Sequence, residues 1–260
     1  MNIVFEYIKY RLNAKYLHGI HSPFVYKFME ESTNIQIEKE HQHEIEKFIS
    51  LTKTNPQEIQ VKDYGAKSKK LKGKRTVSQI FKTSSSFGKN ALLLYRLSNY
   101  FKPKLVLELG TSIGVGTLHL HLGHTDSKIV SIEGCPETYD LSTQNLKKDN
   151  IELVNKTFYD HIKSLNQEVF DLIFIDGHHD GEALKYYLHL LKKHTHNDTI
   201  IVLDDIRWSS SMLNAWNELA KEKKYHLSMD FFRMGILVRR NQQEKEHFVL
   251  DQLVQDSDAL

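Results

Sequence analysis

The sequence predicts an α/β fold in which a mostly parallel, doubly wound sheet of seven strands follows a helical N-terminal segment. Three observations predict this class. From residue 104 onwards, short apolar runs alternate with stretches whose apolar residues recur at helical spacing. A glycine-punctuated stretch, KLVLELGTSIGVGT at residues 104–117, joins the first run to a helix, and several later runs end in acidic residues. Such an alternation implies right-handed crossovers and a sheet covered by helices on both faces.

The first 75 residues are predicted to form an α-helical cap that ends in a basic loop. An amphipathic helix is expected from residue 2 to about residue 17, and its apolar face is expected to pack on the rest of the protein rather than on a membrane or a second copy. That face carries Ile3, Val4, Tyr7, Ile8 and Leu12. Ser22 and Pro23 are the predicted start of a second helix that ends near residue 31, and a third helix is expected over about residues 37–51.

The basic loop spans residues 62–75, and its cations are Lys67, Lys69, Lys70, Lys72, Lys74 and Arg75. A solvated linker is the favoured interpretation, and the alternative is a lid or an electrostatic guide for an anionic substrate. Binding of nucleic acid is disfavoured because Tyr64 is the only aromatic residue in this stretch that could stack on a base.

The elements that follow alternate regularly over residues 76–240, which are predicted to form one ligand-binding domain. A helix capped at Ser84 or Ser86 runs towards Pro103 and precedes the apolar run at residues 105–109. Further strands are predicted at 128–133, 151–155, 170–176 and 199–204, with helices near 114–122, 136–148, 161–166, 181–193 and 209–223. Residues 225–230 and 232–240 are expected to close this Rossmann-like sheet as an antiparallel edge hairpin, and residues 241–260 to form a polar, frayed tail.

Composition excludes several classes of protein. The 260 residues include 35 basic and 33 acidic side chains, a formal net charge of +2, so there is no overall bias towards nucleic acid or anionic membranes. Cys135 is the only cysteine, which excludes a disulfide framework and a cysteine-based zinc site. Charged residues interrupt the N-terminal apolar stretch, and no run of about 18 apolar residues occurs. We therefore expect a soluble cytoplasmic protein.

The stretch at residues 104–117 has the form of a nucleotide-binding turn. Gly110, Gly114 and Gly116 follow the buried strand where the chain must turn sharply into a helix, whose first N–H groups would face a ligand. Glu133 ends the next strand, 23 residues after Gly110, where an acid can accept hydrogen bonds from both ribose hydroxyls of a nucleoside. Because ligands of open α/β sheets bind at the carboxyl ends of the strands, Asp176 and the pair Asp204–Asp205 are further candidates.

These residues resemble the class I S-adenosylmethionine-dependent methyltransferases. Glu108, Gly110, Gly114 and Gly116 are similar to that family's first motif, ExGxxxGxG, and Glu133-Gly-Cys-Pro136 resembles the ExxP element of its catechol O-methyltransferase branch. The runs DLIFID, ending at Asp176, and VLDDIRW, at residues 202–208, resemble two later elements of the same branch. Residues 176–179, DGHH, also look like the DGxH signature of a related bacterial group. The resemblance covers roughly residues 78–240.

The resemblance implies S-adenosylmethionine as cofactor. The three glycines would approach its methionine part, and Glu133 would hold its ribose. Glu108 and Asp176 are further cofactor-binding candidates. The residues after the third strand, Phe158, Tyr159 or Asp160, would flank its adenine.

The resemblance also implies an acceptor side. In the catechol O-methyltransferase branch, the positions of Asp176, Asp204 and Asp205 bind a divalent cation, although the last ligand is usually asparagine. A third carboxylate suits Mg²⁺ but leaves an altered or absent metal site open. His179 stands where that branch has a lysine general base, and an ordinary histidine takes up a proton near neutral pH. His179 and Asp176 are therefore the catalytic candidates, with a histidine that merely hydrogen-bonds the acids as the alternative for His179. His178 is expected to point elsewhere.

The function predicted from these patterns is O-methylation of a small-molecule hydroxyl, assisted by Mg²⁺ if the metal site is intact. Two alternatives remain open from the sequence. One is a methyltransferase acting on nitrogen or nucleic acid, which would share the cofactor half. The other is a non-catalytic nucleoside-binding module that acts through the N-terminal helices. The patterns name neither the acceptor nor the oligomeric state, and a homo-oligomer is compatible with them.

Overall fold

The protein is described here from a computed structural model in which residues 1–62, 73–84 and 88–251 are placed. The predicted cap Ser86 and most of the predicted basic loop lie outside these ranges. The helices are α1 (Ile3–Asn13), α2 (Pro23–Thr33), α3 (Lys39–Lys53), α4 (Val77–Ser84), α5 (Lys89–Phe101), α6 (Val115–Gly123), α7 (Pro136–Asn145), α8 (Phe158–Ser164), α9 (Gly181–Leu190) and α10 (Ser210–Lys221). The strands are β1 (Glu58–Val61), β2 (Gly73–Thr76), β3 (Leu105–Leu109), β4 (Lys128–Glu133), β5 (Ile151–Asn155), β6 (Phe170–Ile175), β7 (Thr195–Leu203), β8 (Leu227–Phe231), β9 (Met234–Val238) and β10 (Glu246–Val249).

The main sheet has eight strands in the order β10-β8-β9-β7-β6-β3-β4-β5. Strands β3 to β7 run parallel to one another, whereas β9 runs antiparallel to both β7 and β8. The chain order reverses at β3, which lies between β4 and β6, so the crevice outside the ends of β3, β4 and β6 is a topological switch point. This confirms the predicted doubly wound α/β class with its antiparallel hairpin.

Alternate side chains of the central strands fill a core on each face of the sheet, as the near-continuous apolar runs require. On β7, Ile200 and Val202 join the core beneath α2 and α5, and Ile201 and Leu203 join the core beneath α9 and α10. The N-terminal segment contributes to the first core through Val25, Phe28 and Met29 of α2, which are among its buried members. Helix α2 thus shares a core with the sheet.

Two pieces of strand were not predicted. The expected polar tail contains β10, which pairs in parallel with β8 at the sheet edge and makes an eighth strand. The β10 strand forms because Phe248 and Leu250 are both buried, and burial of their apolar side chains favours an ordered strand despite the polar residues around them. The second piece is the antiparallel pair β1–β2, which lies within the segment predicted to be helix and loop.

The apolar face of α1 does not pack as the sequence predicted. Val4 is 62% exposed, Ile8 52% and Leu12 81%. The helix is held by Tyr10, whose hydroxyl donates to the Leu250 carbonyl, and by Tyr7 of the predicted face, whose ring meets Phe232 edge-on at 5.1 Å. The expectation that this face is covered by the rest of the protein is therefore wrong. No helix in the described ranges is both long and apolar enough to span a bilayer.

Candidate active site

The turn between β3 and α6 is built on glycines because the backbone there adopts left-handed angles at close quarters. Gly110 has φ +112° and its N–H donates to the Ile132 carbonyl of β4 at 3.0 Å. Gly114 has φ +98° and forms the N-cap of α6. A Cβ at Gly114 would lie 2.6 Å from the Leu146 side chain. The predicted turn is thus present, with the N-terminus of α6 at the carboxyl end of β3.

Glu108 lies beneath this turn and supports it. Its side chain is fully buried, and one carboxyl oxygen accepts hydrogen bonds from Thr117 at 2.5 Å and Ser131 at 2.6 Å. Its other oxygen would lie 2.9 Å from a Cβ at Gly116, so that glycine leaves room for the carboxyl group. Burial raises the pKa of Glu108 to about 7, opposed by the hydrogen bonds of the two hydroxyls. Glu108 exposes no surface to a ligand here, and direct cofactor contact remains a prediction.

Glu133 closes the other side of the turn. One carboxyl oxygen accepts from the Ser112 N–H at 2.9 Å, and the other accepts from the Cys135 N–H at 2.8 Å. Burial raises the pKa of this group, while these backbone N–H groups act in the opposite direction. Each carboxylate oxygen can accept a second hydrogen bond. The carboxylate is therefore fixed in place by backbone N–H groups, and its binding of a ribose remains a prediction.

The three residues predicted to flank an adenine have different surroundings. The Phe158 ring lies against Gly177, where a Cβ would come 2.9 Å from it, and so borders the loop after β6. Tyr159 is 43% exposed and stacks on Tyr186, with ring centroids 6.2 Å apart. The carboxylate of Asp160 is engaged in the cap of α8 by Thr157 at 2.7 Å. Phe158 is thus the member of the three that adjoins the strand ends.

The ends of β6 and β7 bring together the predicted acceptor-side residues. The ring centroids of His179 and Trp208 lie 5.4 Å apart, and Trp208 is 53% exposed. The indole ring therefore lies beside the candidate base. Asp204 is buried, and its carboxylate accepts from the Asp205 N–H at 2.8 Å. His178 turns away as expected, because its Nδ1 pairs with the Tyr187 hydroxyl at 2.7 Å.

The three acids predicted to bind a metal follow the ends of β6 and β7. Within residues 1–62, 73–84 and 88–251, no group of three or more His, Cys, Asp or Glu side chains is arranged to hold a metal ion. Asp205 has a left-handed backbone, φ 49°, and its carboxylate receives Arg233 Nε at 3.1 Å and Nη2 at 2.5 Å. Asp176, Asp204 and Asp205 therefore do not fit a divalent cation as placed, and we derive no chemistry through one.

Two arginines that the sequence motifs did not single out lie at this edge. Arg233 precedes β9, and β9 pairs antiparallel with β7 so that Gly235 is opposite Leu203. The start of β9 thus reaches the edge where the parallel strands end. Arg207, between Asp205 and Trp208, forms a buried two-pronged ion pair with Asp230 at 2.7 and 2.8 Å and also donates to the Phe232 carbonyl. The signal was the turn sequence DFFRMG, once the hairpin direction is considered.

A comparison with family models agrees with this geometry. Residues 107–206 match a family described as a methyltransferase domain. The matched range begins within β3 and ends just after the Asp204–Asp205 pair, so it contains the glycine turn, Glu133 and His179.

Solved structures with the same fold include several methyltransferases. An O-methyltransferase from Bacillus cereus in complex with SAH (S-adenosylhomocysteine) is 16% identical, covers 81% of this chain and 96% of its own, and has a TM-score of 0.57. An SAH-bound methyltransferase from Podospora anserina is 17% identical over 85% and 96%, with a TM-score of 0.54. The O-methyltransferase TomG from Streptomyces achromogenes, in complex with SAM (S-adenosylmethionine), is 16% identical over 60% and 82%, with a TM-score of 0.52.

The fold is that of the class I methyltransferases. More particularly, residues 107–206 match a methyltransferase domain. The resemblance inferred from the motifs is thereby confirmed, whereas the likeness to the bacterial DGxH group remains a prediction.

Proposed function

We propose that this protein transfers the methyl group of S-adenosylmethionine to a hydroxyl oxygen of a small molecule. The observation that carries the proposal is the placement of two half-sites on one sheet edge. The glycine turn with Glu133 forms the donor half at β3 and β4, and His179 with Trp208 forms the acceptor half beyond β6 and β7.

The donor half suits an adenosyl group with a charged tail. Glu133 offers two fixed oxygens to the ribose hydroxyls, and Phe158 supplies an apolar ring near the adenine. The carboxylate tail of the cofactor would meet the first N–H groups of α6, where the helix dipole favours negative charge. This assignment is supported by the methyltransferase neighbours, several of which were solved with SAM or SAH.

The acceptor half suits a flat hydroxylated molecule lying against the Trp208 ring. In the reaction, the acceptor oxygen forms a bond to the methyl carbon while the carbon–sulfur bond breaks, leaving neutral S-adenosylhomocysteine. The hydroxyl proton passes to the His179 imidazole, and the rate depends mainly on alignment of the two reactants. The indole wall would provide part of that alignment.

Calorimetric titration with S-adenosylhomocysteine tests the donor half. Loss of one hydrogen bond to a charged group costs about 1.5–3 kcal/mol, so Glu133→Ala should weaken binding roughly 10- to 150-fold. The matched control is Glu152→Gln on neighbouring β5, whose carboxylate lies at the surface and pairs with Lys128 at 3.3 Å. Equal affinity of Glu133→Ala and wild type would contradict the cofactor assignment.

Release of S-adenosylhomocysteine, measured with matched phenols, aliphatic alcohols and amines, tests the acceptor half. We expect transfer to oxygen, and a fall of roughly 10²-fold or more in kcat for His179→Gln with cofactor affinity unchanged. Faster transfer to the amines would instead identify an N-methyltransferase. Cofactor binding without transfer to any acceptor in the set would favour the non-catalytic module.

A further inference from the structure

At the acceptor edge, three carboxylates lie close to an arginine. An enzyme that binds a divalent cation there would not need this arginine to balance their charge. Three carboxylates follow adjacent strands, Asp176 after β6 and the Asp204–Asp205 pair after β7. Carboxylates gathered at a site without a cation repel one another and lose hydration, which is costly. A compensating positive charge is therefore expected at this edge.

The structure supplies that charge from the antiparallel hairpin. Arg233 Nε and Nη2 both donate to Oδ1 of Asp205, at 3.1 and 2.5 Å. The Ile206 N–H also donates to the Arg233 carbonyl at 2.9 Å, so backbone and side chain hold this residue beside the end of β7. The Arg233 side chain remains 57% exposed, whereas that of Asp205 is 13% exposed. A guanidinium has five N–H donors, so further donors are available for an acceptor oxygen.

Strand register places all three carboxylates at the same edge as Arg233. Ile175 of β6 lies opposite Leu203 of β7, and Leu203 lies opposite Gly235 of β9, so the residues just beyond these three strand ends share one edge. The three acids that the family resemblance implies as metal ligands thus lie at the same edge as Arg233, which contacts Asp205 directly. A divalent cation at the same place would be repelled by the guanidinium and would have to displace it from Asp205.

We propose that Arg233 is the resident cation of the acceptor site and takes the place of a divalent metal. The proposal rests on the proposed methyl transfer, for which Arg233 would hydrogen-bond the acceptor oxygen and stabilise its developing negative charge. A metal favours acceptors with two adjacent oxygens that can chelate it. Arginine imposes no such requirement, so the acceptor class includes molecules with a single hydroxyl group.

Titration with Mn²⁺ alone, followed by electron paramagnetic resonance of the free ion, tests the proposal without any acceptor. Wild type should not deplete free Mn²⁺ at millimolar concentration. Arg233→Gln leaves the carboxylates without their cation and should raise Mn²⁺ affinity at least about tenfold, whereas the charge-preserving Arg233→Lys should not. The matched control is Arg239→Gln at the opposite end of β9, remote from the three acids. Retained S-adenosylhomocysteine affinity shows that each variant is folded.

Tight Mn²⁺ binding by wild type that Asp204→Asn abolishes would overturn the proposal, as would failure of Arg233→Gln to bind the ion. In turnover, a chelator such as EDTA should leave the wild-type rate unchanged, and Arg233→Gln should lower kcat/KM at least about tenfold. A chelator-sensitive wild-type rate would also overturn it. If wild type did not bind S-adenosylhomocysteine, the proposed function would be refuted. The Mn²⁺ titration would still show whether Arg233 excludes a divalent cation from the three carboxylates.

Discussion

Replacing Gly110 by alanine should damage the protein far more than the same change at Gly177, although both glycines lie at the carboxyl ends of adjacent strands. A Cβ at Gly110 would lie 1.9 Å from the Asp176 carbonyl oxygen, and the residue has φ +112°. The Asp176 N–H donates to the Leu109 carbonyl at 2.9 Å, so the ends of β3 and β6 are hydrogen-bonded at the place that the alanine Cβ would occupy.

The magnitude follows from two terms. A non-glycine residue in such a backbone conformation costs about 1–3 kcal/mol. Forcing the backbone of Asp176 away from the added methyl group is overpacking, which costs a further 1–3 kcal/mol or so. We therefore expect Gly110→Ala to lower the free energy of unfolding by about 2–6 kcal/mol and to weaken cofactor binding as Asp176 is displaced.

Gly177→Ala is the matched control. Its Cβ would meet the Phe158 ring at 2.9 Å, but the contact is with the end of a side chain, which can tilt, and the backbone is not left-handed. The expected cost is about 1 kcal/mol. Urea unfolding followed by far-UV circular dichroism measures both variants, and calorimetry measures their affinity for S-adenosylhomocysteine. Equal costs for the two substitutions would refute the reasoning that backbone contact at Gly110 fixes this edge.

Two further predictions concern buried charge. Burial raises the pKa of Glu108 to about 7 from an ordinary 4.5, so the folded protein keeps a proton that the unfolded chain releases. The free energy of unfolding should then fall between about pH 4.5 and 7, by at most about 3 kcal/mol. Urea unfolding at a series of pH values should show that Glu108→Gln loses this slope, and parallel curves would contradict it. Removing one partner of the buried Arg207–Asp230 pair, as in Asp230→Ala, should cost about 3–5 kcal/mol, whereas Arg207→Met with Asp230→Leu should cost less. A single variant no worse than the double would contradict this.

The central part of the fold was predictable because its signals are local. The predicted bounds of β4 and β5 agree with the structure to the residue, since each strand is a short apolar run between turn residues. The glycine turn and Glu133 were predictable for the same reason, because strand ends and glycines mark the ligand edge of a parallel sheet without knowledge of distant contacts.

What could not be predicted depends on contacts between distant segments. The sequence shows which face of α1 is apolar, but not whether anything covers Leu12. It shows Arg233 in a turn, but only the antiparallel register between β9 and β7 places that turn beside Asp205. The metal site was predicted from acidic residues at strand ends. The sequence pattern alone does not show that an arginine lies beside those acids, because its position depends on this register.

The protein's two tryptophans have opposite environments, and this gives the site its own spectroscopic reporter. Trp216 is 1% exposed in the core, where its ring covers Gly235, and Trp208 is 53% exposed beside His179. Emission from Trp216 therefore reports the integrity of the hairpin. Because Trp208 lies beside His179 at the acceptor edge, a Trp216→Phe variant would report the arrival of an acceptor as a change in a single fluorophore.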